Sequence, residues 1–190
     1  IATKHNALFL PIVFMIHWAW TQRSTLWLAW RPRAGRGASG FRLPPIPWWV
    51  FAMGLIGPLV FVAHWPYLWP DPVARWGSYW GFHLHHEHYP VRYFGAGLWE
   101  PPFPVAFPWV MWGVTVPLGT LICGVSGALL AVRQVARELW WGEAVSADES
   151  FLLLLNLMVP VLLIGMPNVP IFGGTKHWMN ALPFLTIFAA

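Results

Sequence analysis

The amino-acid sequence predicts an all-α, polytopic integral membrane protein, a helix bundle of about five membrane segments with one interfacial helix. Hydrophobic residues make up 57% of the chain and charged residues only 9%, whereas an average soluble domain is roughly a quarter charged. The charged residues are also clustered, which leaves long uncharged runs. A membrane-spanning helix needs about 20 mostly apolar residues. The whole chain, residues 1–190, is therefore predicted to be a single membrane domain.

Five apolar runs predict the membrane segments, and one polar and aromatic stretch separates the second from the third. The membrane segments are residues 6–20, 47–65, 107–132, 150–166 and 180–190, and the interfacial segment is 66–106. Because each span crosses the membrane, the loops at 31–42 and 133–149 lie on the same side. That side carries most of the lysine and arginine, which predicts that it is cytoplasmic. The histidine-rich interfacial segment then lies on the outer side.

The net charge of +4 does not indicate nucleic acid, because the basic residues are concentrated between the first two spans. Such clusters set the orientation of membrane proteins, and we expect no nucleic-acid partner. The basic cluster consists of Arg23, Arg31, Arg33, Arg36 and Arg42.

Cys123 is the only cysteine, which excludes an intrachain disulfide.

A helix is predicted over residues 72–88 of the interfacial segment. Asp71 can cap its free N–H groups, and Pro72 suits the first helical position. Pro90 ends the helix, because proline disfavours helical backbone at the residue before it. Aromatic and polar side chains recur at spacings of three and four, which predicts a helix lying along the membrane surface.

Two polar residues lie inside apolar spans, His17 in the first and Asn156 in the fourth. A polar group at that depth is either functional or bonded to a neighbouring helix. We predict helix-to-helix hydrogen bonds for both.

The densest polar cluster is HLHHEHYP, residues 83–90. On a helix, His83 and Glu87 share a face at a spacing of four residues, as do His83 and His86 at a spacing of three. This spacing is compatible with a divalent metal, but no resident cofactor is predicted. The alternative is a wet helix end whose imidazoles contact water and lipid headgroups.

Cations arrive at the outer side from three parts of the chain: Lys4 beside His5, Arg92, and Lys176 beside His177. Converging cations suit a phosphate, which lysine binds as a point charge and arginine as a fork. Gly173 and Gly174 would let backbone approach such a ligand. The alternative is that these cations are interfacial anchors in contact with membrane lipids.

Three stretches together resemble a known family. They are TKHNALFLP (3–11), FHLHHEHYPVRYFG (82–95) followed by PPFP (101–104), and PIFGGTKHWMNALPFL (170–185). This combination resembles the phospholipid-carrier-dependent glycosyltransferases, multispanning enzymes of the GT-C fold related to the protein O-mannosyltransferases and the lipid A aminoarabinose transferases. The resemblance implies transfer of a sugar from a polyprenyl-phosphate carrier to an acceptor at the outer face of a bacterial cytoplasmic membrane.

The resemblance also implies roles for individual residues. Lys176, His177, Arg92 and Lys4 would bind the donor phosphate. The sugar or acceptor side would be lined by His83, His86, Glu87, His88 and Tyr89.

The sequence departs from the family in two places. In the family, an acidic pair supplies the catalytic base. That pair has no counterpart here, since the acidic residues of the outer segments are Asp71, Glu87 and Glu100 and none of them is paired. That pair is expected upstream of Ile1, which makes the chain an internal or C-terminal fragment of the membrane domain. Many relatives carry an acidic residue and an arginine where this chain has Gly173 and Lys176.

Two other classes of protein remain as alternatives. The histidines at 85–88 look like one histidine box of a di-iron membrane desaturase or hydroxylase, a class that needs about three such boxes to hold its metals. A non-enzymatic scaffold or pigment-binding subunit could use His17 and His64 as axial ligands. Bound iron would identify the first class, and a strong visible absorption band would identify the second.

Overall fold

The computed structural model describes residues 9–23, 25, 44–84, 89–141, 147–169, 171 and 174–190. This part of the chain is mostly helical, as the sequence predicts. The α-helices are α1 Phe9–Thr21, α2 Trp48–His64, α3 Pro72–Leu84, α4 Phe107–Thr115, α5 Leu118–Trp141, α6 Asp148–Ile164 and α7 Leu182–Phe188. Short 3-10 turns lie at Pro66–Leu68, Gly174–His177 and Met179–Ala181, and a β-hairpin pairs β1 Val91–Tyr93 with β2 Ala96–Leu98.

Among the described residues, one helix is long and apolar enough to cross a membrane. It is α5, whose segment Leu118–Trp140 has 23 residues, and only 17% of its most apolar window is buried. The helices α1 and α2 and the segment Met179–Phe188 are apolar but shorter.

The predicted segment at 107–132 is two helices. Val116 has extended backbone, with φ −86° and ψ 134°, because Pro117 disfavours helical backbone at the residue before it. The second helix, α5, also runs to Trp141, through part of the predicted loop at 133–149. Gln134 and Glu138 lie one turn apart and continue the face of α5 that is turned toward its neighbours.

The predicted cap of α3 is confirmed by its geometry. The backbone N–H of Ala74, the third helical residue, donates to Asp71 Oδ1 at 3.1 Å. This bond satisfies one of the N–H groups that the first turn of a helix leaves unpaired. The helix runs to Leu84, and residues 85–88 of the predicted helix lie outside the described residues.

The centre of the bundle is α6, which packs against α1, α5 and α7. Large apolar side chains fill one end of the bundle, where the chain before α4, the last turns of α6 and the segment before α7 meet. The buried core there consists of Phe103, Phe107, Trp112, Leu157, Val161, Ile164, Ile171, Trp178, Ala181 and Leu185.

Helix α7 lies directly on small residues of α5. A Cβ atom at Gly124 would lie 2.6 Å from Leu185 Cδ1 and 2.7 Å from the Leu185 carbonyl oxygen. A Cβ atom at Gly127 would collide with the backbone of Phe188. Ala131, one turn further along α5, is also buried. The absence of side chains at these two glycines therefore sets the distance between the helices.

A polar network joins α1, α5 and α6 at the end opposite the aromatic core. The Arg23 guanidinium pairs with Glu138 through Nη2 and lies 3.9 Å from Asp148 Oδ1 through Nη1. The second Glu138 oxygen accepts the backbone N–H of Ala147 at 2.6 Å. Trp20 Nε1 donates to Asp148 Oδ1 at 2.9 Å, and the guanidinium stacks 4.0 Å from the Trp20 ring centroid. Three helix ends thus share one set of charges.

The two polar residues within the apolar segments behave differently. His17 Nε2 donates to the Asp148 carbonyl at 3.1 Å, which confirms the predicted bond between α1 and α6. Asn156 Nδ2 donates to Leu152 O at 2.9 Å, in the preceding turn of its own helix. The interhelical prediction is wrong for Asn156, because a neighbouring carbonyl within the same helix is already in reach.

The α5–α7 contact predicts an asymmetric response to valine at two glycines. Gly127→Val should lower the free energy of unfolding by about 1–3 kcal/mol, because the side chain would force the helices apart. Gly119→Val, in the first turn of the same helix, is the matched control, since no atom lies within 4 Å of its Cβ position. Thermal unfolding followed by circular dichroism measures both, and equal losses would refute this account of the packing.

The network predicts that Glu138→Gln destabilises the fold by about 1–2 kcal/mol, because it weakens the pairing of a half-buried guanidinium. The side chain of Glu138 is 13% exposed and that of Arg23 is 31% exposed. Glu149→Gln replaces an exposed carboxylate beside Asp148 and should cost less. A double-mutant cycle with Arg23→Gln isolates the coupling, and strictly additive losses would contradict it.

Candidate functional site

The β-hairpin presents two different faces. Its register pairs Val91 with Leu98, Arg92 with Gly97 and Tyr93 with Ala96. Val91, Tyr93 and Leu98 pack against the buried core. Since successive strand residues point to opposite faces, Arg92 lies on the face turned away from the core, and it is exposed.

The turn Gly174–His177 carries Lys176 and His177, both half-buried. Two anchors hold it in place: Ile171, which is 2% exposed, and Trp178, which is fully buried. The turn packs against α4. Buried apolar residues on both sides therefore fix where the two basic side chains emerge.

Aromatic side chains connect the hairpin to this turn. The ring centroids of Tyr93 and Phe107 are 5.5 Å apart, and those of Phe107 and Trp178 are 6.0 Å apart with the rings nearly perpendicular. Phe9, the first residue of α1, packs against the same core. The beginning of α1, the hairpin and the turn thus lie at one end of the bundle, which we call the hairpin end.

The structure places only part of the predicted site. Arg92, Lys176 and His177 lie at the hairpin end, and Tyr89, 50% exposed, lies two residues before β1. His83 belongs to the last turn of α3, but its side chain is outside the described part of the chain. The other predicted residues outside it are Lys4, His86, Glu87 and His88.

No group of three or more histidine, cysteine or acidic residues within the described ranges could hold a metal ion. The predicted metal alternative, His83 with His86 and Glu87, depends on side chains outside those ranges. Asp71 is engaged as the cap of α3. His64 Nδ1 donates to Val60 O at 2.9 Å, in its own helix.

An aromatic cluster fixes α3 against the end of α2. The Phe61 ring centroid lies 5.1 Å from that of Trp65, 5.3 Å from that of Trp76 and 5.8 Å from that of Tyr79. Burial in this cluster raises the pKa of the Tyr79 phenol above 10.0, its ordinary value, because the phenolate would lose hydration.

Sequence reasoning missed Trp99 as a possible part of the site. Its Nε1 atom lies 3.1 Å from the position of a Cβ atom at Gly97, so the indole covers the outward face of β2. Gly97 is the cross-strand partner of Arg92. The sequence does contain a signal for this position. Apolar and polar residues alternate on both sides of Phe94 and Gly95, which predicts a hairpin and places residues 92, 97 and 99 on one face.

Comparisons with models of known families, with curated proteins and with solved structures give no match. The class of the protein therefore rests on its own sequence and geometry. Over the residues that the structure describes, those define a mostly helical fold with one membrane-length helix and a basic, aromatic surface at one end.

The pKa direction of Tyr79 predicts a loss of stability at high pH. Well below pH 10.0 the phenol is neutral in the folded and unfolded chain and adds no pH dependence. As the pH rises through that value, the unfolded chain ionises first, so the free energy of unfolding falls. Denaturant titrations at several pH values should show a smaller fall in Tyr79→Phe. A fall of equal size in the variant would contradict the assignment.

Proposed function

We propose that the chain is a membrane domain of a polytopic glycosyltransferase of the GT-C type, which moves a sugar from a polyprenyl-phosphate carrier to an acceptor at the outer membrane face. One observation carries the proposal. The three stretches that resemble this family, at 3–11, 82–95 and 170–185, contribute Phe9, Tyr93 and Trp178 to the same end of the bundle. Stretches far apart in sequence thus meet in space, as the parts of one site must.

The chemistry of the hairpin end suits a phosphate leaving group. Lys176 supplies a compact positive charge, and His177 can donate a hydrogen bond or a proton to a phosphate oxygen. Both side chains are half-buried, and a charge interacts more strongly where water is partly excluded. Such groups stabilise the negative charge that develops on the departing carrier phosphate.

The remaining roles in the proposal follow the resemblance. Lys4 adds positive charge for the donor phosphate, and Tyr89 with the cluster at 83–88 lines the side of the sugar or the acceptor. The resemblance also assigns Arg92 to the donor phosphate, but its exposed position on the outward face of the hairpin favours lipid headgroups instead. No resident cofactor is required, and a divalent metal at His83, His86 and Glu87 is the alternative. Among residues 1–190 we assign no base that activates the acceptor.

The distribution of side chains on α5 supports a membrane setting with several spans. Its contact with α7 is made by Gly124 and Gly127, whereas most of its large apolar side chains are exposed. Membrane helices associate through small residues, since lipid covers the large ones as well as protein would. The exposed set includes Leu118, Ile122, Leu129, Leu130 and Val132, at 51–69% exposure.

The direction of the bundle in the membrane follows from its basic residues. Arg23 lies in the polar network opposite the hairpin end, and Arg133 and Arg137 lie on the same last turns of α5 as Glu138. Lysine and arginine are enriched on the cytoplasmic side of membrane proteins. We therefore place the hairpin end on the outer side of a bacterial cytoplasmic membrane.

The proposal predicts that Lys176→Ala and His177→Ala each reduce sugar transfer from a polyprenyl-phosphate donor by roughly 100-fold in kcat, the usual effect of removing a group that stabilises developing charge. Transfer is measured with the full-length protein in membranes, using a radiolabelled donor sugar. Membrane insertion and thermal unfolding should stay unchanged.

Thr175→Ala is the matched control, because it alters the same turn without removing a cation. It should retain transfer close to that of the unmodified protein. Full activity in both the Lys176 and His177 variants would exclude the role assigned to this turn.

A further inference from the structure

The tip of the hairpin carries an exposed phenylalanine in an unfavourable backbone conformation. Phe94 has φ +48° and Gly95 has φ +82°, and a two-residue turn with positive φ at both positions usually holds asparagine, aspartate or glycine. Positive φ is an outlier for a bulky residue. The Phe94 side chain is 83% exposed. Neither backbone preference nor burial accounts for phenylalanine here, which points to a role outside the fold.

The outward face of the hairpin has the composition of a surface that binds lipid headgroups. Arg92 lies there opposite Gly97, and the Trp99 indole lies over Gly97 in the space that a side chain would fill. Trp99 is 66% exposed. A guanidinium and an indole N–H on one face are hydrogen-bond donors suited to phosphate oxygens. Tryptophan is enriched at the membrane interface, where long cationic side chains can also place their charge in water.

The inner face holds the hairpin in a fixed position. Val91, Tyr93 and Leu98 pack on the buried core, and Tyr93 contacts both Phe94 and Phe107, with centroids 4.7 Å and 5.5 Å apart. The tip therefore projects from a supported base.

We propose that the hairpin docks on the phospholipid bilayer, with Phe94 inserted at the boundary of the acyl chains and with Arg92 and Trp99 Nε1 bound to phospholipid phosphates. A cation and an indole donor match anionic headgroups, and an exposed ring at the tip matches the apolar layer beneath them. Docking also sets the depth of Lys176 and His177, because the hairpin contacts their turn through Phe107. This inference rests on the membrane setting of the proposed function and not on sugar transfer.

The depth of the tip is measured with a single fluorophore. Cys123→Ser removes the only cysteine, and Phe94→Cys or Tyr89→Cys then carries an environment-sensitive label in phosphatidylcholine nanodiscs. Position 94 should be quenched by spin-labelled lipid and shielded from aqueous iodide, more so than position 89 at the base of the hairpin. Equal access of iodide to both positions would overturn the proposal. The proposal would also be overturned if the label at position 94 is shielded from iodide only when an acceptor protein is added and is not quenched by spin-labelled lipid.

The phosphate contact is measured in nanodiscs that also contain phosphatidylglycerol. Quenching of the label at position 94 is measured with spin-labelled phosphatidylglycerol and with spin-labelled phosphatidylcholine. The ratio of the first to the second should fall about fivefold in Arg92→Gln, because that is the contribution of one cation to binding at an anionic surface. Arg133→Gln, an exposed cation on α5, should leave the ratio unchanged.

An unchanged ratio in Arg92→Gln, combined with weaker transfer from the polyprenyl-phosphate donor, would assign Arg92 to the carrier and overturn its role at the bilayer. The protein could also show no transfer activity while lipid quenches the label at position 94 and the quenching ratio falls in Arg92→Gln. That result would support docking and refute sugar transfer. The two proposals can therefore fail separately.

Discussion

The carboxylate of Glu138 is the contact on which the arrangement of the bundle depends. It accepts hydrogen bonds from the Arg23 guanidinium, just beyond α1, and from the Ala147 N–H, at the start of α6. The Glu138 side chain is only 13% exposed. A poorly hydrated carboxylate is stable only when such partners surround it, so three helix ends must meet in one register. Helix α1 has 13 residues and rises about 1.5 Å per residue. Fixing one end of α1 beside Asp148 thus also fixes Phe9 about 20 Å away, at the hairpin end.

The sequence predicts the positions of most helices because their apolar runs are long and their caps are local. The cap at Asp71 is an example, since all the atoms involved lie within four residues. The end of α5 was not predicted, because charges after residue 132 suggest a loop when they are read singly. Read with helical periodicity, Gly124, Gly127, Ala131, Gln134 and Glu138 form one continuous face, small first and polar later. The break at Pro117 is likewise a local signal that the high apolar content of 107–132 concealed.

The candidate site was predictable in its location but not in its detail. Alternation of loops across a membrane places Arg92 and Lys176 on the same side, and the structure puts both at the hairpin end. Which side chains touch there depends on contacts between distant segments, such as Tyr93 with Phe107 and Phe107 with Trp178. The same limit applies to the polar network, where Arg23 and Glu138 are separated by 115 positions. Hydrophobic pattern alone carries no information on such pairings.

The two ends of the bundle use their polar groups differently, and this difference indicates where a ligand can bind. At the network end, Glu138 and Asp148 accept hydrogen bonds from Ala147 and Trp20, and both lie beside Arg23. At the hairpin end, neither Arg92 nor Trp99 donates a hydrogen bond to any residue that the structure describes. A carboxylate already held by its neighbours has little capacity for an external group, whereas an exposed guanidinium beside an indole N–H can still bind an anion. The charge cluster around Glu138 and Asp148 therefore holds the helices together, and the recognition surface that we propose is the hairpin, where Arg92 and Trp99 keep exposed donors.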